Sequence, residues 1–136
     1  MEKYYMKKIT KDWLNSAESD ILLIGSIIDQ QSLTHQVAFH AQQAIEKSFK
    51  AIIEEFEIGF IKTHSLETLY SMIGDKISLK VDADMLILLD QLYIEARYPG
   101  ELGLLPNGKP TIVEAQVFIE LAGTIYQQTN EFLELR

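Results

Sequence analysis

Cysteine is absent from the 136 residues, which removes both a disulfide framework and a thiolate metal site. No apolar run approaches the roughly 20 residues that a membrane helix needs. No apolar stretch follows the basic start, Met1 to Lys11, that would make it a signal peptide, so a cytoplasmic protein is the expectation. Period-two alternation of polar and apolar residues is missing too, and strands have no support. There is no internal repeat, low-complexity tract, Gly-rich phosphate loop, Ser-His-Asp arrangement or HExxH motif. His35 and His40, five apart, fall off one helical face without nearby carboxylates, so no metal and no other cofactor is expected. Lys and Arg number 12 against 20 Asp and Glu, a net charge of −8. That balance opposes a broad nucleic-acid grip, which needs a wide phosphate-neutralising surface. A local basic spot for one nucleotide remains open.

What is present reads as one globular domain, 47 % hydrophobic and 24 % charged, inside the ordinary range for a folded chain. Residues 1–9 form a basic leader, with Lys3, Lys7 and Lys8, and 10–136 form the domain. Five amphipathic segments follow one another. Thr10 can cap a first helix in which Trp13, Ala17, Ile21, Ile24 and Ile28 recur at helical steps. Thr34 opens a long second helix running to about Glu57, before Gly59. A third, shorter helix begins near Thr63–Ser65, buries Leu66, Leu69, Tyr70 and Ile73, and ends at Gly74. The fourth starts near Asp82–Asp84, carries Met85, Leu86, Leu89, Leu92 and Tyr93, and stops around Ala96 or Arg97 because Pro99 disfavours helical geometry at Tyr98. Pro99 to Pro110 holds three glycines and three prolines and is a loop. Thr111-Ile112-Val113-Glu114 is a Ser/Thr-x-x-Glu capping box that opens the fifth helix. The predicted architecture is all-α, an up-and-down bundle of five helices, with the second and fifth longest.

The second helix is the most informative. At about 100° per residue, Val37, Ala41, Ala44, Ile45, Ile52 and Phe56 form a core arc, and His40, Gln43, Glu46, Lys47, Lys50 and Glu54 the opposite one. That polar arc is either a solvated face, consistent with Glu46 and Lys50 at i, i+4, or two ammonium groups one turn apart and suited to a phosphate. Arg97 projects on the shoulder of the fourth helix's apolar stripe. It either shields the helix end or acts as an anion clamp. The fifth helix has an apolar arc, from Val117 round to Ile119, wider than one core contact uses. A central position in the bundle or a dimer interface would account for it.

These residues resemble a known family. Phe39-His40-Ala41-Gln42-Gln43-Ala44-Ile45-Glu46-Lys47-Ser48-Phe49-Lys50-Ala51 is similar to the second-helix signature of HEPN domains (higher eukaryotes and prokaryotes nucleotide-binding). Thr63-His64-Ser65-Leu66 resembles the family's third-helix start, Ala96-Arg97-Tyr98-Pro99 its Arg-Tyr-Pro element, and Trp13, Ala17 and Asp20 its first helix. The likeness spans Trp13 to Leu133. It implies a helical bundle, frequent homodimerisation and a setting beside small nucleotidyltransferases. Many members are metal-independent ribonucleases of toxin or defence systems, using an Arg followed after four to six residues by a His. Arg97 would be that Arg, but Leu102, Gly103 and Leu104 occupy the positions of the His.

The resulting expectation is a non-catalytic nucleotide-binding or accessory module, partnered with a small nucleotidyltransferase in a toxin–antitoxin-like or defence system, and homodimeric. Lys47, Lys50 and Arg97 would contact phosphate, Tyr98 or Tyr93 would stack on a base, and Glu46 would orient Lys47 or Arg97. The competing expectation is a metal-independent endoribonuclease toxin using Arg97 with a substitute acid or base, for which His64 is the candidate.

Overall fold

The computed structural model describes residues 5–59, 62–96 and 109–135, apart from the side chains of residues 95 and 96. Five helices appear in the order expected: α1 (Lys8–Ile27), α2 (Thr34–Glu55), α3 (Leu66–Ile73), α4 (Ala83–Ala96) and α5 (Ile112–Glu134), with a 3₁₀ turn at Gln31–Leu33 leading into α2. No strand occurs among the described residues. As expected, α2 and α5 are the longest, at 22 and 23 residues.

The helix ends show where local chemistry decides and where it is overridden. The capping box at α5 is complete: Thr111 Oγ1 accepts the Glu114 N–H at 3.1 Å, and Glu114 Oε1 accepts the Thr111 N–H at 2.9 Å. Ser65 caps α3 by accepting the Thr68 N–H at 3.2 Å. Thr10 does not cap α1, contrary to expectation. The helix begins at Lys8 and its N-cap, Lys7, makes no side-chain cap bond. Instead the buried Thr10 hydroxyl donates to Glu55 Oε1 at 2.8 Å, and the same oxygen accepts the Lys7 N–H at 3.1 Å. A carboxylate from the far end of α2 takes over the cap because an ionised acceptor outcompetes a local hydroxyl. At the end of α2, Glu57 adopts a left-handed φ of 51°. The Ile58 N–H returns to the Ile53 carbonyl at 3.0 Å, a Schellman-type closure usually given to glycine.

α2 is the axis of the bundle, packing against α1, α3, α4 and α5. Its Ala41, Ala44, Ile45, Phe49 and Ile52 are fully buried, and they meet Ile24 of α1, Leu66 and Leu69 of α3, Leu86 and Leu89 of α4, and Phe118 and Ile125 of α5 in one core. Each large side chain removed from water contributes about 1.5–3 kcal/mol. The Tyr70 hydroxyl donates to the Leu79 carbonyl at 2.8 Å and ties α3 to the connection before α4. α1 and α5 run in opposite directions, since Tyr126 reaches back to Glu18 and Ile119 lies beside Gly25.

α5 is not central. Its fully buried stripe is Ala115, Phe118, Ala122, Ile125, Thr129 and Leu133. Ile119, Leu121, Tyr126 and Phe132 beside it also pack against the core, and Val113, at 69 %, and Val117, at 44 %, are left exposed. α5 lies against α2 and α1, and this packing within the bundle accounts for most of the wide arc. Among the described residues no helix is long and apolar enough to cross a membrane.

Candidate functional site

The polar arc of α2 is not a solvated face. It is pressed between α1 and the start of α3, and its Glu46, Lys47 and Lys50 charges are paired inside that seam. Asp20 of α1, a buried acid, stands at its centre on one side. It accepts Lys47 Nζ at 2.7 Å and contacts His40 Nδ1 at 3.0 Å. Burial alone would push the Asp20 carboxyl up, but the hydrogen bonds and charges of His40 and Lys47 outweigh it and hold the carboxyl below its ordinary value.

Glu46 forms the second centre. Only 4 % exposed, it accepts Lys50 Nζ at 2.8 Å and meets His64 Nδ1 at 3.1 and 3.2 Å through its two oxygens. The Gln42 amide reaches Glu46 at 3.3 Å and also donates to the His64 backbone carbonyl at 2.9 Å. His64 is thus fixed at both its backbone and its ring. Asp90 of α4 accepts the Leu66 N–H with both oxygens, at 3.0 and 2.9 Å, anchoring the start of α3 beside His64. Burial raises the Asp90 carboxyl above its usual range, although the hydrogen bonds from Leu66, Glu67 and Gln42 oppose the rise.

Lys50 also lies over the ring of Trp13, 5.4 Å from its centroid, within cation–π range. Beyond it opens a cavity of about 390 Å³, lined by Trp13, Lys50, Ile53, Lys62, His64 and Leu69 among others. That volume falls in the range of small-ligand sites, and its make-up of apolar walls with a few polar groups is usual for them. The Trp13 indole N–H is buried and has no hydrogen-bond partner. A smaller cavity of about 270 Å³ lies on the other side of His64, bounded by Ser65, Asp90, Tyr93 and Ile94.

The sequence-predicted residues therefore divide. Lys50, Glu46 and His64 come together in one hydrogen-bonded group at the larger cavity. Lys47 does not join them, because Asp20 holds it. Glu46, expected to orient Lys47 or Arg97, orients Lys50 and His64. Tyr93 is buried, with its ring stacked on Phe39 at 5.0 Å and 5.8 Å from His64, and these two ring contacts are internal. Arg97 and Tyr98 lie outside the described residues, as do Leu102, Gly103 and Leu104. In the sequence Asp20 and Trp13 stand out only as first-helix features, and Lys62 and Gln42 carry no sign of a site. Asp20 did leave a signal, since it sits between Ala17 and Ile24 on the apolar stripe of α1. A carboxylate in that position needs a buried partner. Among the described residues no group of three histidine or acidic side chains could hold a metal ion.

A helical bundle is the arrangement the sequence resemblance implies, and comparison with known families agrees. The chain matches the HEPN domain family over residues 10–132. It belongs to that family, a group of nucleotide-binding and ribonuclease-like modules. No curated protein and no solved structure matches the chain.

Proposed function

We propose that the protein is a non-catalytic nucleotide-binding or accessory HEPN module, with its ligand site in the cavity beneath Lys50. The observation that carries this reading is the convergence of Lys50 and Lys62, with His64 and Glu54 beside them, around a mostly apolar cavity lined by Trp13, in a chain whose net charge is −8. The cations suit phosphate, and Ile53, Leu69 and Trp13 offer a surface for a base. Lys47 drops out of the phosphate set because it belongs to the Asp20 group and does not line the cavity, whereas Lys50, although paired with Glu46, does. Trp13 is the single tryptophan, so its fluorescence reports this cavity alone. Titration with ATP, GTP and their monophosphates is expected to change the emission saturably. Lys50→Ala should weaken binding roughly tenfold or more, as removal of one charge-assisted contact does. No heat and no emission change with any nucleotide would leave the proposal without support.

The same reading makes the protein a homodimer and the partner of a small nucleotidyltransferase in a toxin–antitoxin-like or defence setting. The outward apolar residues of α5 support the first part, because a two-fold interface would cover them on both copies. Light scattering is expected to give a mass near twice 15.6 kDa, and co-purification with the product of the adjacent reading frame tests the second part. A ribonuclease reading draws on one observation, the carboxylate of Glu46 against His64 Nδ1, which is how a general base is oriented. RNA cleavage that vanishes in both His64→Ala and Arg97→Ala would favour it over the binding module.

A further inference from the structure

Lys50 stands between a buried acid and an open cavity. Its ammonium group is 2.8 Å from Glu46 Oε2, and the same residue lines the space where an anion would enter. Glu46 is the most buried acid of the seam and cannot be left without positive charge, since an unpaired buried carboxylate is strongly disfavoured. Among the described residues its other cationic partner is the ring of His64, 3.1 Å away, whose side chain is 59 % exposed and open to proton exchange with water.

We infer that the phosphate of a bound nucleotide draws Lys50 away from Glu46 and that His64 takes up a proton to replace it as the counter-charge. The inference rests on the nucleotide reading above and adds a linkage between ligand and pH. In atoms, the ammonium of Lys50 moves to the phosphate oxygens. Water or buffer delivers one proton to the imidazole, and Glu46 exchanges one cationic partner for another. Histidine is the side chain suited to this, because its charge changes near neutral pH.

The charged groups around His64 favour the exchange. From α2, Glu46 contacts the ring and Glu54 lines the same cavity, while Lys50 is the group that leaves. From α4, Asp90 and Tyr93 border the smaller cavity that His64 shares, and Asp90 adds a second nearby carboxylate. From the segment before α3, Lys62 opposes protonation until a phosphate neutralises it. From α1, among the described residues, the uncharged ring of Trp13 lines the cavity. Proton uptake on binding requires affinity to weaken as pH rises.

Calorimetry with AMP at pH 7.5, in two buffers of low and high ionisation enthalpy, measures the coupling directly. The wild type is expected to take up about half a proton or more, and its affinity to fall about threefold or more between pH 6.5 and 8. His64→Gln should bind with no uptake and a flat pH profile. His40→Gln, in the separate Asp20 group, should keep the uptake. Inorganic phosphate is the second probe, and uptake with it as well supports phosphate as the trigger. Binding without uptake, uptake unchanged in His64→Gln, or phosphate binding with no uptake would each overturn the linkage while leaving the nucleotide site standing. Absence of binding by both probes would instead remove the nucleotide reading, and the linkage with it.

Discussion

Replacing Asp20 with alanine removes the acid that joins α1 to the polar seam of α2. Asp20 and Lys47 keep 11 % and 20 % of their side-chain surface in water, so Lys47 would be left as a largely desolvated cation facing a void. Breaking a fully buried pair costs about 3–5 kcal/mol, and a hydrogen bond to a charged group contributes about 1.5–3 kcal/mol. Because Lys47 retains a fifth of its exposure, the expected loss is about 2–4 kcal/mol, which for a chain of this size is a drop in Tm of about 6–15 °C. Thermal unfolding followed by circular dichroism measures it. The pair Asp20→Leu with Lys47→Met should be less damaging than the sum of its parts, since an apolar pair leaves no orphaned charge. The pH dependence has a defined sign. The Asp20 carboxyl is held below its ordinary value of 3.8 in the fold, so its contribution is full above pH 3.8 and lost as pH falls through the lower folded value. The gap in stability between wild type and Asp20→Asn should therefore close at acid pH. A Tm for Asp20→Ala within about 2 °C of wild type, or strictly additive losses in the pair, would refute this account of the seam.

Three further outcomes are expected. Thr111→Ala removes half of the α5 capping box and should cost about 0.5–2 kcal/mol by chemical denaturation, without changing the slope with denaturant. Glu57→Gly should raise stability by roughly 0.5–1 kcal/mol, because the left-handed φ of 51° suits glycine; the exposed ion pair it removes, between Glu57 and Lys7, contributes little. The Asp90 carboxyl is raised in the fold by burial, so its protonation favours folding below pH 3.8 and that gain is lost as pH rises through the folded value. The wild type should accordingly gain stability relative to Asp90→Asn as pH is lowered towards 4, read as the difference between their unfolding temperatures.

The bundle was legible because each helix announces itself locally. Leu66, Leu69 and Ile73 recur at helical steps, and Thr111 and Glu114 sit at the spacing of a reciprocal cap. Those signals survive intact because no distant group competes for the same atoms. Thr10 shows the opposite case, as its hydroxyl is claimed by Glu55, 45 positions away. The polar arc of α2 failed as a solvated face for the same reason. The i, i+4 spacing of Glu46 and Lys50 is genuine, but nothing on α2 itself reveals that Asp20 and His64 close over it from two other elements. Lys47 and Lys50 look equivalent along the helix and differ only in what faces them: Asp20 for one, Trp13 and a cavity for the other.

Glu55 reaches across from the end of α2 to the first turn of α1, taking both the Lys7 N–H and the Thr10 hydroxyl. The opening amides of a helix ordinarily exchange with solvent first, because they have no partner within the helix and the terminus frays. Here the Lys7 amide is held by a residue 48 positions away, and the Lys7 side chain donates to the Glu54 carbonyl in the same place. Deuterium can enter that amide when its contact with Glu55 opens. Its exchange rate therefore reports the hold of one helix on another and not only the fraying of a single helix end.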